Sequence, residues 1–195
     1  ELASLSDQRL VDRFFRSLRR AEMVGWIEEL SLAPAFDEAF AMALGDRYRH
    51  GIAAADWDAL CRLSLVKPRE RDFWSMHRIL QEQLRRRVAA DRPRRAREIH
   101  AWAHAHWMER AIQLAAADSH AYERPQWQEW VTHSLFHLCR SDEYLDWRET
   151  ALQVANLFLD LYWWWVENVP LLFWDELLQD TQAALTQAEG RLGVL

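Results

Sequence analysis

His100 and His104 stand four residues apart, as do His133 and His137. On a helix that spacing puts two imidazoles on one face, where they can chelate zinc. A metalloprotease needs a glutamate directly after the first histidine, and here Ala101 and Ser134 hold that place. A complete zinc site takes three or four ligands backed by hydrogen-bonding partners, so the four histidines read as packing residues and no metal is expected. Nucleotide hydrolysis has no machinery of its own either. The chain lacks Gly-x-x-x-x-Gly-Lys-Ser/Thr and Gly-x-Gly-x-x-Gly, and its one lysine, Lys67, falls in a turn. Hydroxyls and histidines are present without a strained nucleophile turn. No catalytic residue is assigned, and any NTPase or effector activity would belong to a preceding part of a longer protein. The start at Glu1 rather than at a methionine fits that expectation.

Other groups could act by contact rather than by bond-making. His77 and Arg78 open a basic helix, and Arg69 to Arg97 supply the arginine density that phosphate contacts require. Arg85 and Arg86 are candidate partner contacts, through phosphates or through salt bridges to acidic neighbours. Trp163, Trp164 and Trp165 are consecutive, and neighbours on a helix point about 100° apart. All three cannot enter one core, so at least one faces a partner, another helix layer or solvent. An interaction patch and a helix buried all round both satisfy that geometry.

The elements that must position these groups follow from periodicity. Leu10, Val11, Phe14, Phe15 and Leu18 recur at three and four, predicting an amphipathic helix over 6–20 with Ser6 as N-cap. A second helix is expected over 22–32, ending before Pro34. Two short helices, 36–44 and 53–63, are separated by Gly45 and Gly51. Two short strands follow, at Leu65-Val66 and Phe73-Trp74, with the turn 67–71 between them. Met76, Leu80, Leu84 and Val88 then form the buried stripe of a helix that leaves Arg78, Arg85, Arg86 and Arg87 outside. Beyond Asp91-Arg92-Pro93, long helices are expected over 94–116, 126–139, 143–168 and 171–189. Short loops join them, which makes an antiparallel α-hairpin stack.

Residues 60–88 carry a more specific pattern. Leu60, Leu63, Ser64, Val66, Phe73, Met76, His77, Ile79, Leu80, Gln81, Glu82, Leu84 and Arg85 fit the order of a winged helix. They resemble the winged helix that follows the nucleotide-binding core of STAND signal-transduction NTPases, including the NB-ARC branch. That resemblance implies a nucleotide contact for His77, whose counterpart touches the β-phosphate of ADP in the switched-off state. Arg78 replaces the aspartate usual at the next position. Upstream, Leu30-Ser31-Leu32-Ala33 with Phe36-Asp37-Glu38-Ala39 resembles the family's opening of the winged helix. Downstream, 98–103 and 129–138 resemble the first helices of its superhelical sensor arm. ADP or ATP is therefore implied as a cofactor, held only together with an upstream nucleotide-binding domain.

Composition sets the bounds. Half the residues of this 195-residue chain are apolar, and five glycines and five prolines leave few helix breakers. Two cysteines, Cys61 and Cys139, without a regular framework read as reduced core thiols of a cytoplasmic protein. No secretory leader is read from the N-terminus, and Gln153, Asn156, Asp160 and Glu167 argue against a membrane span in the tryptophan-rich stretch. Residues 67–97 carry eleven Lys/Arg against four Asp/Glu, whereas 141–190 carry ten Asp/Glu against one Arg. That polarity favours an acidic partner at the middle and disfavours nucleic acid at the C-terminal end.

The sequence thus leads to a mainly α fold: a helical lead-in over 1–33, a winged helix over 34–92, and a tryptophan-rich, TPR-like helical arm over 93–195. The function it implies is the regulatory and sensor segment of a bacterial STAND switch in immunity or signalling. Its partners would be upstream nucleotide-binding and effector domains, an unknown trigger, and further copies of itself on activation, with no membrane. The alternative is a winged-helix transcription regulator that binds DNA, its arm dimerising or holding a ligand.

Overall fold

A computed structural model of the chain describes residues 21–141 together with Leu152, Ala155 and Asn156, which are helical. The helix expected over 6–20, most of 143–168, all of 171–189 and Trp163 to Trp165 lie outside the described residues. The protein is mainly helical. It divides into two compact units, Glu1–Ala96 and Arg97–Leu195.

In the first unit, α1 (Ala21–Leu30) buries Met23, Trp26, Ile27 and Leu30, a three-and-four stripe. It stops at Leu30 rather than Leu32. Leu32 N and Ala33 N reach back only three residues, to Glu29 O and Leu30 O, tightening the last turn ahead of Pro34. Phe36 does not start a helix as expected. It exchanges both backbone hydrogen bonds with Trp74 at 2.9 and 2.8 Å, so the next helix begins only when Asp37 accepts from Phe40 N at 2.8 Å.

That helix, α2 (Glu38–Arg47), runs through Gly45. The glycine is no breaker: it is buried where an added Cβ would lie 3.2 Å from the Ile52 side chain. The chain turns instead at Arg49 and Gly51, both with positive φ. α3 (Ala54–Cys61) follows, with Asp56 accepting from Ala53 N at 2.9 Å.

β1 (Val66–Pro68) pairs antiparallel with β2 (Trp74–Met76), Val66 opposite Met76 and Pro68 opposite Trp74. Lys67 and Pro68, expected in the turn, lie in the strand. The reversal is confined to a tight turn in which Arg71 and Asp72 adopt left-handed backbone, φ 59° and 62°, and Phe73 N donates to Glu70 O. Trp57 of α3 meets Phe36 and Trp74 edge-on, with ring centroids 6.3 and 6.1 Å away.

α4 (Arg78–Asp91) presents Leu80, Leu84 and Val88 to the core, with Met76 just ahead of it also buried, as the stripe predicts. Its polar residues close the end of α1: Gln81 Nε2 donates to Ala33 O at 2.6 Å and Arg85 Nε to Ser31 O at 2.6 Å. These bonds satisfy carbonyls of the turn that follows α1.

α5 (Pro93–Ala117) begins in the first unit and continues into the second, so the division falls inside this helix rather than at the Arg92-Pro93 break. A 3₁₀ turn (Ala121–Glu123) leads to α6 (Pro125–Ser141). Ascending contacts on α5 meet descending ones on α6: His100 with His137, His104 with Ser134, Trp107 with His133, Arg110 with Trp130. The two helices therefore run antiparallel. Ala103 and Ala111, fully buried on either side of Trp107, give the indole room.

Candidate functional site

His77 occupies the hinge between β2 and α4. Its backbone N donates to Leu65 O at 2.7 Å, its carbonyl accepts from Gln81 N at 3.0 Å, and its extended dihedrals make it the N-cap of α4. The side chain makes no cap bond and is exposed, as is that of Arg78. The first turn of α4 holds no acidic residue. The helix dipole and Arg78 thus set positive potential around an imidazole that is fixed by its backbone and open at its ring, a combination that suits an anionic group.

The position of α4 depends on a charge network that the sequence reading did not single out. Glu28 and Glu29, consecutive on α1, are both buried. Glu29 receives His50 Nε2 at 2.7 Å and Arg95 Nε at 2.9 Å, with Arg92 at 3.8 Å. Glu28 pairs with Arg92 and, at 3.4 Å, with Arg87. Burial pushes the Glu29 carboxyl up, but the hydrogen bonds and charges of His50 and Arg95 outweigh it, and the net shift is downward. The Arg95 guanidinium also lies 3.6 Å over the Tyr48 ring. Gly25 admits His50: a Cβ there would sit 3.1 Å from the imidazole. Arg87, Arg92 and Arg95 thus neutralise an acidic pair within the unit, which consumes part of the basic surplus counted over 67–97. The available signal was two adjacent glutamates between Ile27 and Leu30, positions that cannot both avoid the core.

The remaining site residues separate. Arg85, expected on the outer side, is half-buried against Ser31, whereas Arg86 is exposed and pairs with Glu82 one turn back. Trp163, Trp164 and Trp165 lie outside the described residues. Burial, then the charges of Asp58 and Glu38, push the Cys61 thiol up to about 11, so it stays protonated and unreactive at neutral pH.

In the second unit the two histidine pairs face each other. His100 Nδ1 lies 2.8 Å from His137 Nδ1, and His104 Nδ1 is 2.8 Å from Ser134 Oγ and 3.1 Å from Ser134 O. His133 is buried, its ring 5.2 Å from that of Trp107 and its Nε2 3.9 Å from Glu129. Burial pushes the His104 imidazole down despite the Ser134 backbone contact. Among the described residues, no three His, Cys, Asp or Glu side chains converge as a metal site. No family model, curated protein or solved structure matches this chain.

Proposed function

We propose that this chain is the regulatory segment of a STAND-type NTPase, in which a winged helix holds the ADP-bound, switched-off state and the helical arm carries the sensor. The observation that carries the reading is the placement of His77. It stands at the junction of β2 and α4 with its backbone tied on both sides and its ring free to meet a phosphate. The order of elements supports the same reading: α1, the Phe36 bridge to β2, α2, α3, then a hairpin and α4. That is the order of a winged helix with its short first strand. The antiparallel pair α5 and α6 has the form of one α-hairpin of a TPR-like arm. Bound ADP would then be clamped between an upstream nucleotide-binding domain and His77, and the trigger would act by binding the released state more tightly than the clamped one. Subunits freed in this way would associate and activate an effector in the cytoplasm. Among the described residues, no helix is long and apolar enough to cross a membrane.

Exposed Lys67, Arg69 and Arg71 on the hairpin keep the DNA-binding alternative in play. Its difficulty is α3, the third helix, which a winged helix normally lays in the major groove. Ala54–Cys61 contains Asp56 and Asp58 and no basic residue, which sets it against the phosphates.

The test is made on the parent protein. Its reading frame upstream of Glu1 is expected to encode a Gly-x-x-x-x-Gly-Lys loop, and His77→Ala is expected to weaken ADP binding by about tenfold, the loss of one charged hydrogen bond. An upstream sequence without that loop, or ADP affinity indifferent to His77, would sink the reading.

A further inference from the structure

We propose that Lys67 and Ser75 join His77 on the outer face of the β1–β2 hairpin to grip the β-phosphate of a nucleoside diphosphate, with Lys67 supplying positive charge from the facing strand. Val66 pairs with Met76 and Lys67 with Ser75, and His77 N donates to Leu65 O at 2.7 Å, which carries the same register one pair further. Side chains alternate between the two faces of a strand pair, so Val66 and Met76 share one face and Lys67, Ser75 and His77 the other. Burial follows that division: Val66 and Met76 are in the core, Lys67 and His77 are exposed, and Ser75 is half-buried. Directly opposite residues stand about 5 Å apart at Cβ and diagonal ones about 7 Å, within reach of a long side chain. The Lys67 ammonium, the Ser75 hydroxyl and the His77 imidazole can therefore meet one tetrahedral anion from three sides.

The placement of the other basic residues favours this face. Arg87, Arg92 and Arg95 are engaged by Glu28 and Glu29, Arg86 pairs with Glu82, and Arg85 donates to Ser31 O. Lys67 and Arg78 instead bring exposed positive charge to the end of the unit where β2 meets α4. The carboxylates closest to Lys67 in sequence, Glu70 and Asp72, belong to the turn beyond the last strand pair, Pro68 with Trp74. Among the 24 Lys and Arg of the chain there is a single lysine, and it is the residue opposite Ser75. An ammonium on a flexible four-carbon stem meets a phosphate oxygen as a point charge, whereas a guanidinium is suited to a planar, two-pronged contact. The identity of the anion rests on the nucleotide-switch reading, to which the hairpin adds a cation from β1 and a hydroxyl from β2.

Calorimetric titration of the parent protein with ADP, and with AMP, which lacks the β-phosphate, tests it. Lys67→Ala should weaken ADP binding by about tenfold, the loss of one charge-assisted contact, and leave AMP affinity unchanged. Lys67→Arg, which keeps the charge, should restore most of the loss, and Ser75→Ala should weaken ADP by about threefold. Raising the salt from about 50 to 300 mM should weaken ADP binding less in Lys67→Ala than in the unchanged protein, because one screened attraction has already gone. ADP affinity that depends on His77 but not on Lys67 would overturn the lysine's role and leave the nucleotide reading standing. Indifference to both residues, or a parent protein that binds neither nucleotide, would overturn the two together. Equal losses of ADP and AMP in Lys67→Ala would show that the lysine acts through the shape of the hairpin rather than on the β-phosphate, which would also overturn it.

Discussion

The two units solve the same problem, polar side chains inside a helical core, in opposite ways. The first sets unlike charges against one another: Glu28 and Glu29 on α1 meet His50, Arg87, Arg92 and Arg95 from three other places in the chain. The second sets like groups against one another, with four histidines along the α5–α6 seam. The consequence is a difference in pH response. Glu29, with its carboxyl held below the ordinary range, contributes stability that is fully present above about pH 4.5 and is lost as pH falls through its lowered value. His104, whose buried imidazole is held below its ordinary range, contributes stability that is present above about pH 6.5 and is lost as pH falls through its lowered value. Mild acid should therefore distinguish the units, and strong acid should release both.

The largest effect expected is on the seam. Trp107 is fully buried between Ala103 and Ala111 and touches His133, so Trp107→Ala removes an indole that no neighbour is placed to replace. A loss of about 4 kcal/mol is expected. Urea unfolding read by exchange protection of α5 and α6 peptides measures it, and a loss under about 1 kcal/mol would mean that the seam is not built on this residue.

The next largest is on the charged network. Glu29→Gln keeps the shape but leaves His50 and Arg95 without their shared carboxylate, at a cost of about 3 kcal/mol confined to the first unit. The variant should also lack the acid-labile step below about pH 4.5, because it removes the group whose protonation produces it. If wild type and variant lose stability in parallel between pH 4.5 and 2.5, Glu28 or another carboxylate carries the acid response, and the contrast between units has been assigned to the wrong residue.

What the sequence made legible follows the range of the interaction. The stripe Met76, Leu80, Leu84, Val88 and the break at Arg92 are local patterns, and the structure has them where periodicity put them. Phe36 was misread because its helical spacing is local while its strand partner, Trp74, is not. Gly45 looked like a breaker because composition does not show Ile52 arriving at its side. The histidine pairs were visible as i, i+4 spacings, but the meeting of His100 with His137 required knowing that α5 and α6 run antiparallel in this register. Gln81 closing α1 through Ala33, 48 residues away, and the arginines closing over Glu28 and Glu29 belong to the same class: long-range polar pairings with no periodic signature.

The smallest effect tests whether the hairpin carries strain of its own. A two-residue turn with both central residues left-handed is the type I′ reversal, for which Asn-Gly is the preferred pair, yet Arg71 and Asp72 occupy it. Aspartate tolerates that backbone better than arginine does, so most of the cost sits at Arg71. Arg71→Asn with Asp72→Gly should stabilise the first unit by about 0.5 to 1 kcal/mol, part of the relief being cancelled by the entropy that glycine adds to the unfolded chain. The second unit should be unaffected. A neutral or destabilising result would show that the two side chains repay the backbone cost through contacts of their own. Arg71 would then be held at the tip of the hairpin by interaction rather than tolerated there, which would strengthen the case that the tip itself is a point of contact for a partner.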